Sequence, residues 1–215
     1  MNDKLLRQDV IDELDFEPRV ESVNIGVTVD GGVVTLTGHV PNYSQKCAAE
    51  EAVKRVKGVR GIAEELKVQF AGPDAFSDEE IAKRALSVLD FNVLIPRDKI
   101  TVKVEKGWVT LTGEVGWDYQ RTAALADVRK LRGVMGIFNG ITVKPHVSAV
   151  DVERRITDAL KRHAEIEAKG VKVSVIDGKV KLEGKVDNWT DRTALERAAW
   201  SAPGVRSVED HVHIA

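Results

Sequence analysis

The chain has 215 residues, of which 43% are hydrophobic and 31% charged, with a formal net charge of −2. This balance gives no basic excess to neutralise a phosphate backbone, which argues against a dedicated nucleic-acid-binding protein. No apolar run approaches the roughly 20 residues of a membrane-spanning helix, so no transmembrane segment is predicted.

One hairpin pattern occurs three times, at residues 25–38, 100–113 and 171–184. Each copy has two runs of alternating apolar residues, joined by a tight turn and closed by a glycine. A regular repeat of this kind predicts one small unit present three times. We therefore expect domains at 1–72, 73–146 and 147–215, each small enough for contacts between units to matter.

Each unit is predicted to begin with an amphipathic helix. In the first unit Leu6, Val10 and Leu14 fall at i, i+4 and i+8, which places them on one helical face. The matching residues of the later units are Ile81, Ala85, Val88 and Leu89, and Val152, Ile156, Ala159 and Leu160. Ser77 and Glu80 form a capping-box pattern, with a weaker version at Ser148 and Asp151. Linkers containing Pro73 and Pro145 precede these helices and suggest the domain boundaries.

The segment after the second unit's helix carries four successive residues that are apolar or proline, 93–96. They form either a buried plug or an exposed contact, and the plug is favoured. In the hairpins, alternation predicts one buried and one solvated sheet face. Gly38, Gly113 and Gly184 fall on the buried face by this pattern, where we expect a close helix backbone or a bulge, not a ligand.

A second helix and a short strand complete each unit. The helices are predicted at 44–57, 119–132 and 190–202, ending near Gly58, Gly133 and Gly204. The last strands are predicted at 62–68, 137–143 and 208–214. The fold class is thus α+β, with three tandem α-β-β-α-β units. Each is a three-stranded mixed sheet with two helices on one face.

The unit resembles the BON domain. The likeness lies in the hairpin that ends in Leu-Thr-Gly or a variant of it, and in an alanine-rich second helix with a Gly-Val exit. Those residues are 36–38, 111–113 and 182–184, then Gly58 with Val59, Gly133 with Val134, and Gly204 with Val205. The resemblance covers nearly the whole chain in three copies in register.

The resemblance implies binding rather than catalysis, in stress or envelope homeostasis, with phospholipid surfaces as the commonly proposed ligand. Family members are usually periplasmic or lipid-anchored. The N-terminus here is charged and lacks the apolar region of a signal peptide, which predicts a cytoplasmic protein as written, or a periplasmic one if a leader was removed. Potassium-binding relatives carry an added LysM module that this chain lacks.

Aromatic residues recur where the hairpin joins the second helix: Tyr43, Trp117 with Tyr119, and Trp189. Such side chains suit a membrane–water interface or a protein partner, or they fold back over the core as a cover. Trp108 and Trp200 align with Lys or Arg in the sister units, so we expect them to face solvent. They contact a partner or a neighbouring unit, or they pack against a neighbouring loop.

For two histidines and the cysteine, the sequence favours an ordinary structural role over a chemical one. His211 and His213 flank a core valine and point to the solvated face without a third metal ligand. Cys47 lies in the first turn of a helix, where its pKa could fall, but threonines replace it in the sister units. No catalytic set recurs, so the sequence predicts neither an enzyme, nor a cofactor, nor a metal site.

Three functions remain open. The leading one is a binding module that engages a phospholipid surface or a protein partner through its aromatic residues. The second is a cytoplasmic sensor of a monovalent cation such as potassium, or of a small ligand. The third is a scaffold that assembles into a homo-oligomer.

Overall fold

The computed structural model describes residues 2–70, 76–144, 156, 158–159, 171–202 and 204–214. Backbone contacts divide the chain into two compact units, and the second repeat contributes to both. The first unit comprises 1–92, 102–111 and 125–139, and the second comprises 93–101, 112–124 and 140–215. Several predictions lie outside the described residues: Pro73, Pro145, the cap at Ser148 and Asp151, and most of the third repeat's first helix.

The described elements follow the order predicted from the repeats. The helices are α1 (Asp3–Phe16), α2 (Tyr43–Arg55), α3 (Asp78–Phe91), α4 (Asp118–Val128) and α5 (Trp189–Trp200). The strands are β1 (Ile25–Asp30), β2 (Val33–Val40), β3 (Gly61–Val68), β4 (Ile100–Glu105), β5 (Trp108–Val115), β6 (Gly136–Val143), β7 (Lys172–Ile176), β8 (Lys179–Val186) and β9 (Ser207–Ile214).

The strands form three separate three-stranded sheets, in the orders β1-β2-β3, β4-β5-β6 and β7-β8-β9. In the first sheet β1 runs antiparallel to β2, and β3, which is reached through a helix, runs parallel to β2. The third sheet repeats this arrangement. The predicted α+β class with three tandem mixed-sheet units is confirmed.

The core lies between each sheet and its helices. Leu6, Val10 and Leu14 of α1 are buried as the i, i+4, i+8 spacing predicts. In the third repeat Ile156 packs into a buried cluster with Leu182 and Leu195. The predicted inward position at Ile156 is therefore a core position. Burial of such aliphatic side chains contributes roughly 1.5 to 3 kcal/mol each.

Side-chain caps set where the helices begin. Ser77 and Glu80 make the predicted capping box. The second helices of the first and third repeats begin one residue earlier than predicted, because the side chains of Asn42 and Asn188 accept hydrogen bonds from Gln45 N and Asp191 N. All three second helices end two to four residues early, and the chain continues in tighter turns to Gly58, Gly133 and Gly204, which have φ of 96°, 90° and 96°.

The closing glycines of the hairpins do not allow a helix to approach, so that expectation was wrong. Gly38 is solvent-exposed with φ 110°, and a Cβ there would overlap the carbonyl oxygen of Asn24, just before β1. Gly113, with φ 143°, stands in the same relation to the carbonyl of Lys99. The close neighbour is therefore backbone at the start of the first strand. Gly38 also pairs one-to-one with Ile25 and with Leu66, so it does not mark a bulge.

The apolar segment 93–96 is neither wholly a buried plug nor wholly an exposed contact. Ile95 is buried, as the plug interpretation requires. Val93 and Leu94 are exposed, so the segment as a whole is not a plug.

A carboxylate at the start of the first helix holds the hairpin turn in two repeats. Asp78 accepts hydrogen bonds from Lys106 N (2.7 Å) and Gly107 N (2.8 Å). Asp3 does the same for Gly31 N (2.9 Å) and Gly32 N (3.2 Å). The sequence analysis did not foresee this contact, which joins residues almost thirty positions apart.

Replacing Asp78 with alanine is expected to lower the free energy of unfolding by about 1 to 2 kcal/mol, because two amides lose a charged acceptor and the helix loses a first-turn acid. Urea unfolding followed by circular dichroism measures the change. Glu79→Ala is the matched control, since Glu79 is exposed and forms a surface ion pair with Lys83. We expect this control to lose about 0.5 kcal/mol or less. Equal losses in the two variants would contradict the role assigned to Asp78.

Candidate functional site

The loop before α4 presents two aromatic side chains to solvent. The Oε1 atom of Gln120 accepts hydrogen bonds from Gly116 N (3.0 Å) and Trp117 N (3.1 Å), which fixes the backbone at the helix start. Trp117 is 42% exposed and Tyr119 is 51% exposed. Their rings stack with centroids 6.5 Å apart and an interplanar angle of 28°. These two side chains therefore do not cover the core.

The third aromatic side chain of the site comes from the end of α5. Trp200 does not face solvent as predicted: it is half-buried and packs against the core of the third repeat. The guanidinium of Arg121 lies 4.4 Å from the centroid of its ring. Arg121 also pairs with Asp118 at 2.5 Å. The arginine is thus held between a carboxylate and an indole, which orients both side chains.

These residues line one open groove of about 950 Å³, here named the aromatic groove. Its walls are Trp117, Asp118, Tyr119, Arg121 and Thr122 on one side, and Thr193, Glu196, Arg197, Trp200 and Ser201 on the other. All ten belong to the second unit. The volume lies near the upper end of the range for small-molecule sites.

One face of α5 lines the aromatic groove, and the sequence analysis missed the spacing pattern that marks this face. Thr193, Glu196, Arg197 and Trp200 follow i, i+3, i+4, i+7 spacing, which defines one helical face. The opposite face carries the buried residues Leu195, Ala198 and Ala199. A polar stripe ending in tryptophan could have identified Glu196 and Arg197 as groove residues. Arg121 has no comparable signal.

The other three predicted site residues lie outside the groove. Trp189 is half-buried, and the guanidinium of Arg192, itself paired with Asp210 at 2.6 Å, lies 5.2 Å from the centroid of its ring. Trp108 is 55% exposed, as predicted, and packs over Gly136 beside a smaller groove in the first unit.

Tyr43 lies half-buried in the first unit, close to Cys47 and to the backbone of Ile137. Burial, together with the neighbouring Cys47, raises the pKa of Tyr43 to about 12. Burial also raises the pKa of the Cys47 thiol, which is opposite to the lowering considered for a cysteine in the first helical turn. Because α2 begins at Tyr43, Cys47 lies beyond that turn. Tyr43 is better placed to contact its own chain than an external ligand.

His211 and His213 are exposed on either side of buried Val212, as predicted. Within the described ranges, no three His, Cys, Asp or Glu side chains lie close enough together to hold a metal ion. Among the described helices, none is both long and apolar enough to cross a membrane.

Comparison with known proteins gives matches over nearly the whole chain. The BON domain family model matches residues 2–69, 77–145 and 148–215. Osmotically-inducible protein Y of Escherichia coli (strain K12) is 29% identical over 155 residues, which are 67% of this chain and 74% of that protein.

Two solved structures of CdsD, a structural protein of the type III secretion system of Chlamydia trachomatis, also align with the chain. The first structure is 19% identical, and the alignment covers 97% of this chain and 91% of the CdsD chain. The second is 18% identical, and the alignment covers 98% of this chain and 97% of the CdsD chain. The TM-score is 0.27 for both, so the likeness carries no argument about this protein.

Proposed function

The chain belongs to the BON domain family, and on that premise we propose that it is a non-catalytic binding protein of stress and envelope homeostasis. We place its contact with phospholipid surfaces at the aromatic groove. The similarity to a protein named for osmotic induction supports the stress-related part of this proposal.

The observation that carries the proposal is the exposure of Trp117 and Tyr119 beside the two groove arginines, Arg121 and Arg197. Tryptophan and tyrosine have an apolar body and a polar group, and they favour the boundary between lipid chains and headgroups. Guanidinium groups bind phosphate with paired hydrogen bonds. The groove thus combines the two side-chain chemistries that a phospholipid surface requires.

The test is co-sedimentation of the full chain with vesicles made of equal parts zwitterionic and anionic phospholipid. We expect the double variant Trp117→Ala/Tyr119→Ala to bind these vesicles about thirtyfold more weakly, since each half-exposed ring loses roughly 1 kcal/mol of burial. Its melting temperature should change little, because neither ring is part of the core.

Trp108→Ala is the matched control, because Trp108 is similarly exposed but lies outside the groove. This variant should bind vesicles as the unmodified chain does. If Trp108→Ala weakened vesicle binding as much as the double variant does, the aromatic groove would not be the lipid-binding site. Absence of vesicle binding by the unmodified chain would overturn the phospholipid function itself.

A further inference from the structure

The aromatic groove carries charges of both signs in equal number. Its ionisable lining residues are two acids, Asp118 and Glu196, and two arginines, Arg121 and Arg197. A site with no net charge provides little long-range attraction for a purely anionic ligand. The arrangement of the individual charges therefore decides what the groove can bind.

The acid and arginine from α4 pair with each other, whereas those from α5 do not. Asp118 and Arg121 pair with each other, and Arg121 is further held against Trp200. Glu196 and Arg197 are exposed neighbours on α5, and neither side chain has a hydrogen-bond or ion-pair partner in the part of the chain that the structure describes. One carboxylate and one guanidinium are thus open to a ligand, next to the exposed rings of Trp117 and Tyr119.

We propose that the aromatic groove selects a zwitterionic phosphate ester, with its phosphate on Arg197 and its ammonium on Glu196 and the aromatic faces. The inference rests on the proposed function, because it names the headgroup that the same site takes. Arginine binds phosphate oxygens in a two-pronged geometry, and aromatic rings attract ammonium groups, most strongly quaternary ones.

A purely anionic headgroup fits the same groove less well. Its negative charge would lie near the carboxylate of Glu196, and the rings of Trp117 and Tyr119 would have no ligand cation to bind. A zwitterion instead satisfies both open charges with one ligand. Exposed charge pairs contribute little to affinity, so a soluble headgroup should bind weakly, with a Kd on the order of 1 mM.

Phosphocholine and glycerol phosphate are the soluble probes, since they share a phosphate and differ in the ammonium. Tryptophan fluorescence or the indole N–H signals of the full chain follow the titration. We expect phosphocholine to bind at least about fivefold more tightly than glycerol phosphate. Vesicles of phosphatidylcholine and of phosphatidylglycerol then separate a lipid headgroup from a free solute as the source of the ligand.

Two variants divide the roles of the open charges. Glu196→Gln should weaken phosphocholine binding and leave glycerol phosphate binding equal or stronger. Arg197→Gln should weaken the binding of both probes. Glu209→Gln, at an exposed glutamate on β9 outside the groove, is the control and should change neither.

The outcomes distinguish this inference from the proposed function. Equal binding of the two probes, or no effect of Glu196→Gln on phosphocholine, would overturn the zwitterion preference. Vesicle binding that depends on Trp117 and Tyr119 but favours phosphatidylglycerol would overturn it as well, while leaving the phospholipid function in place. Binding of phosphocholine without binding of any vesicle would leave the groove's preference in place and contradict the membrane role.

Discussion

Replacing Gly38 with alanine is expected to lower the free energy of unfolding by about 3 kcal/mol or more, the largest effect expected of any single change considered for this protein. Its φ of 110° is unfavourable for any residue with a Cβ, and the added atom would overlap the carbonyl oxygen of Asn24. Because that neighbour is backbone, it cannot move aside as a flexible side chain would.

Gly31→Ala is the matched control in the same hairpin. Gly31 also has a positive φ, of 55°, but a Cβ there would have no neighbouring atom within 4 Å. The control should therefore lose only the roughly 1 kcal/mol that a left-handed conformation costs an alanine. Denaturant unfolding of both variants measures the difference, and similar losses would show that close backbone approach at Gly38 is unimportant.

Replacing Glu17 with glutamine is expected to lower the free energy of unfolding by about 2 kcal/mol. Glu17 is only 7% exposed, and its carboxylate accepts hydrogen bonds from Arg19 Nε (2.8 Å) and Arg55 Nη2 (3.0 Å). The arginines use both carboxylate oxygens of Glu17, whereas glutamine has one acceptor oxygen. At least one guanidinium N–H group would lose its acceptor and face the amide N–H groups. Urea unfolding at neutral pH measures the loss.

The same group makes stability depend on pH in the acid range. The Arg19 guanidinium, aided by Arg55 and opposed by burial, holds the pKa of Glu17 at about 2, below its ordinary value of 4.5. Because the folded-state pKa is the lower one, the stabilisation is fully present above about pH 4.5 and is lost as pH falls towards 2. The unmodified chain should lose more stability than Glu17→Gln between these values.

Glu65→Gln is a suitable control for this pH profile, since Glu65 is an exposed glutamate in the same repeat. Its stability should follow that of the unmodified chain across the acid range. If Glu17→Gln and the unmodified chain lost stability in parallel, the ion-paired carboxylate would not be the source of the acid sensitivity.

Local patterns in the sequence were sufficient for the architecture. Side-chain alternation identified the strands, three- and four-residue spacing identified the helices, and repetition showed that the same unit occurs three times. Each signal reflects a period that the backbone itself imposes. The predicted ends of the second helices were less accurate, because their caps at Asn42 and Asn188 and their tighter last turns depend on individual hydrogen bonds.

The sequence also predicted the aromatic residues of the site, but it could not predict which of them lie together. The four loop aromatics could either cover the core or face a partner, and Trp108 and Trp200 were both predicted to face solvent. The structure brings Trp117, Tyr119 and Trp200 to one groove, places Trp108 and Trp189 elsewhere, and leaves Tyr43 half-buried beside Cys47. Such grouping depends on which helices meet, and no local periodicity records that.

The sequence by itself determined the fold class, the three-fold repetition and the inward faces of α1 and α3, because these follow from short-range backbone geometry. Only the tertiary structure decided that Arg121 would lie on Trp200, that Asp78 would hold a turn and that Glu17 would be buried between two arginines. Apart from the neighbouring Glu17 and Arg19, these contacts join residues distant along the chain. Their energy arises only once the surrounding elements have packed and removed the groups from water.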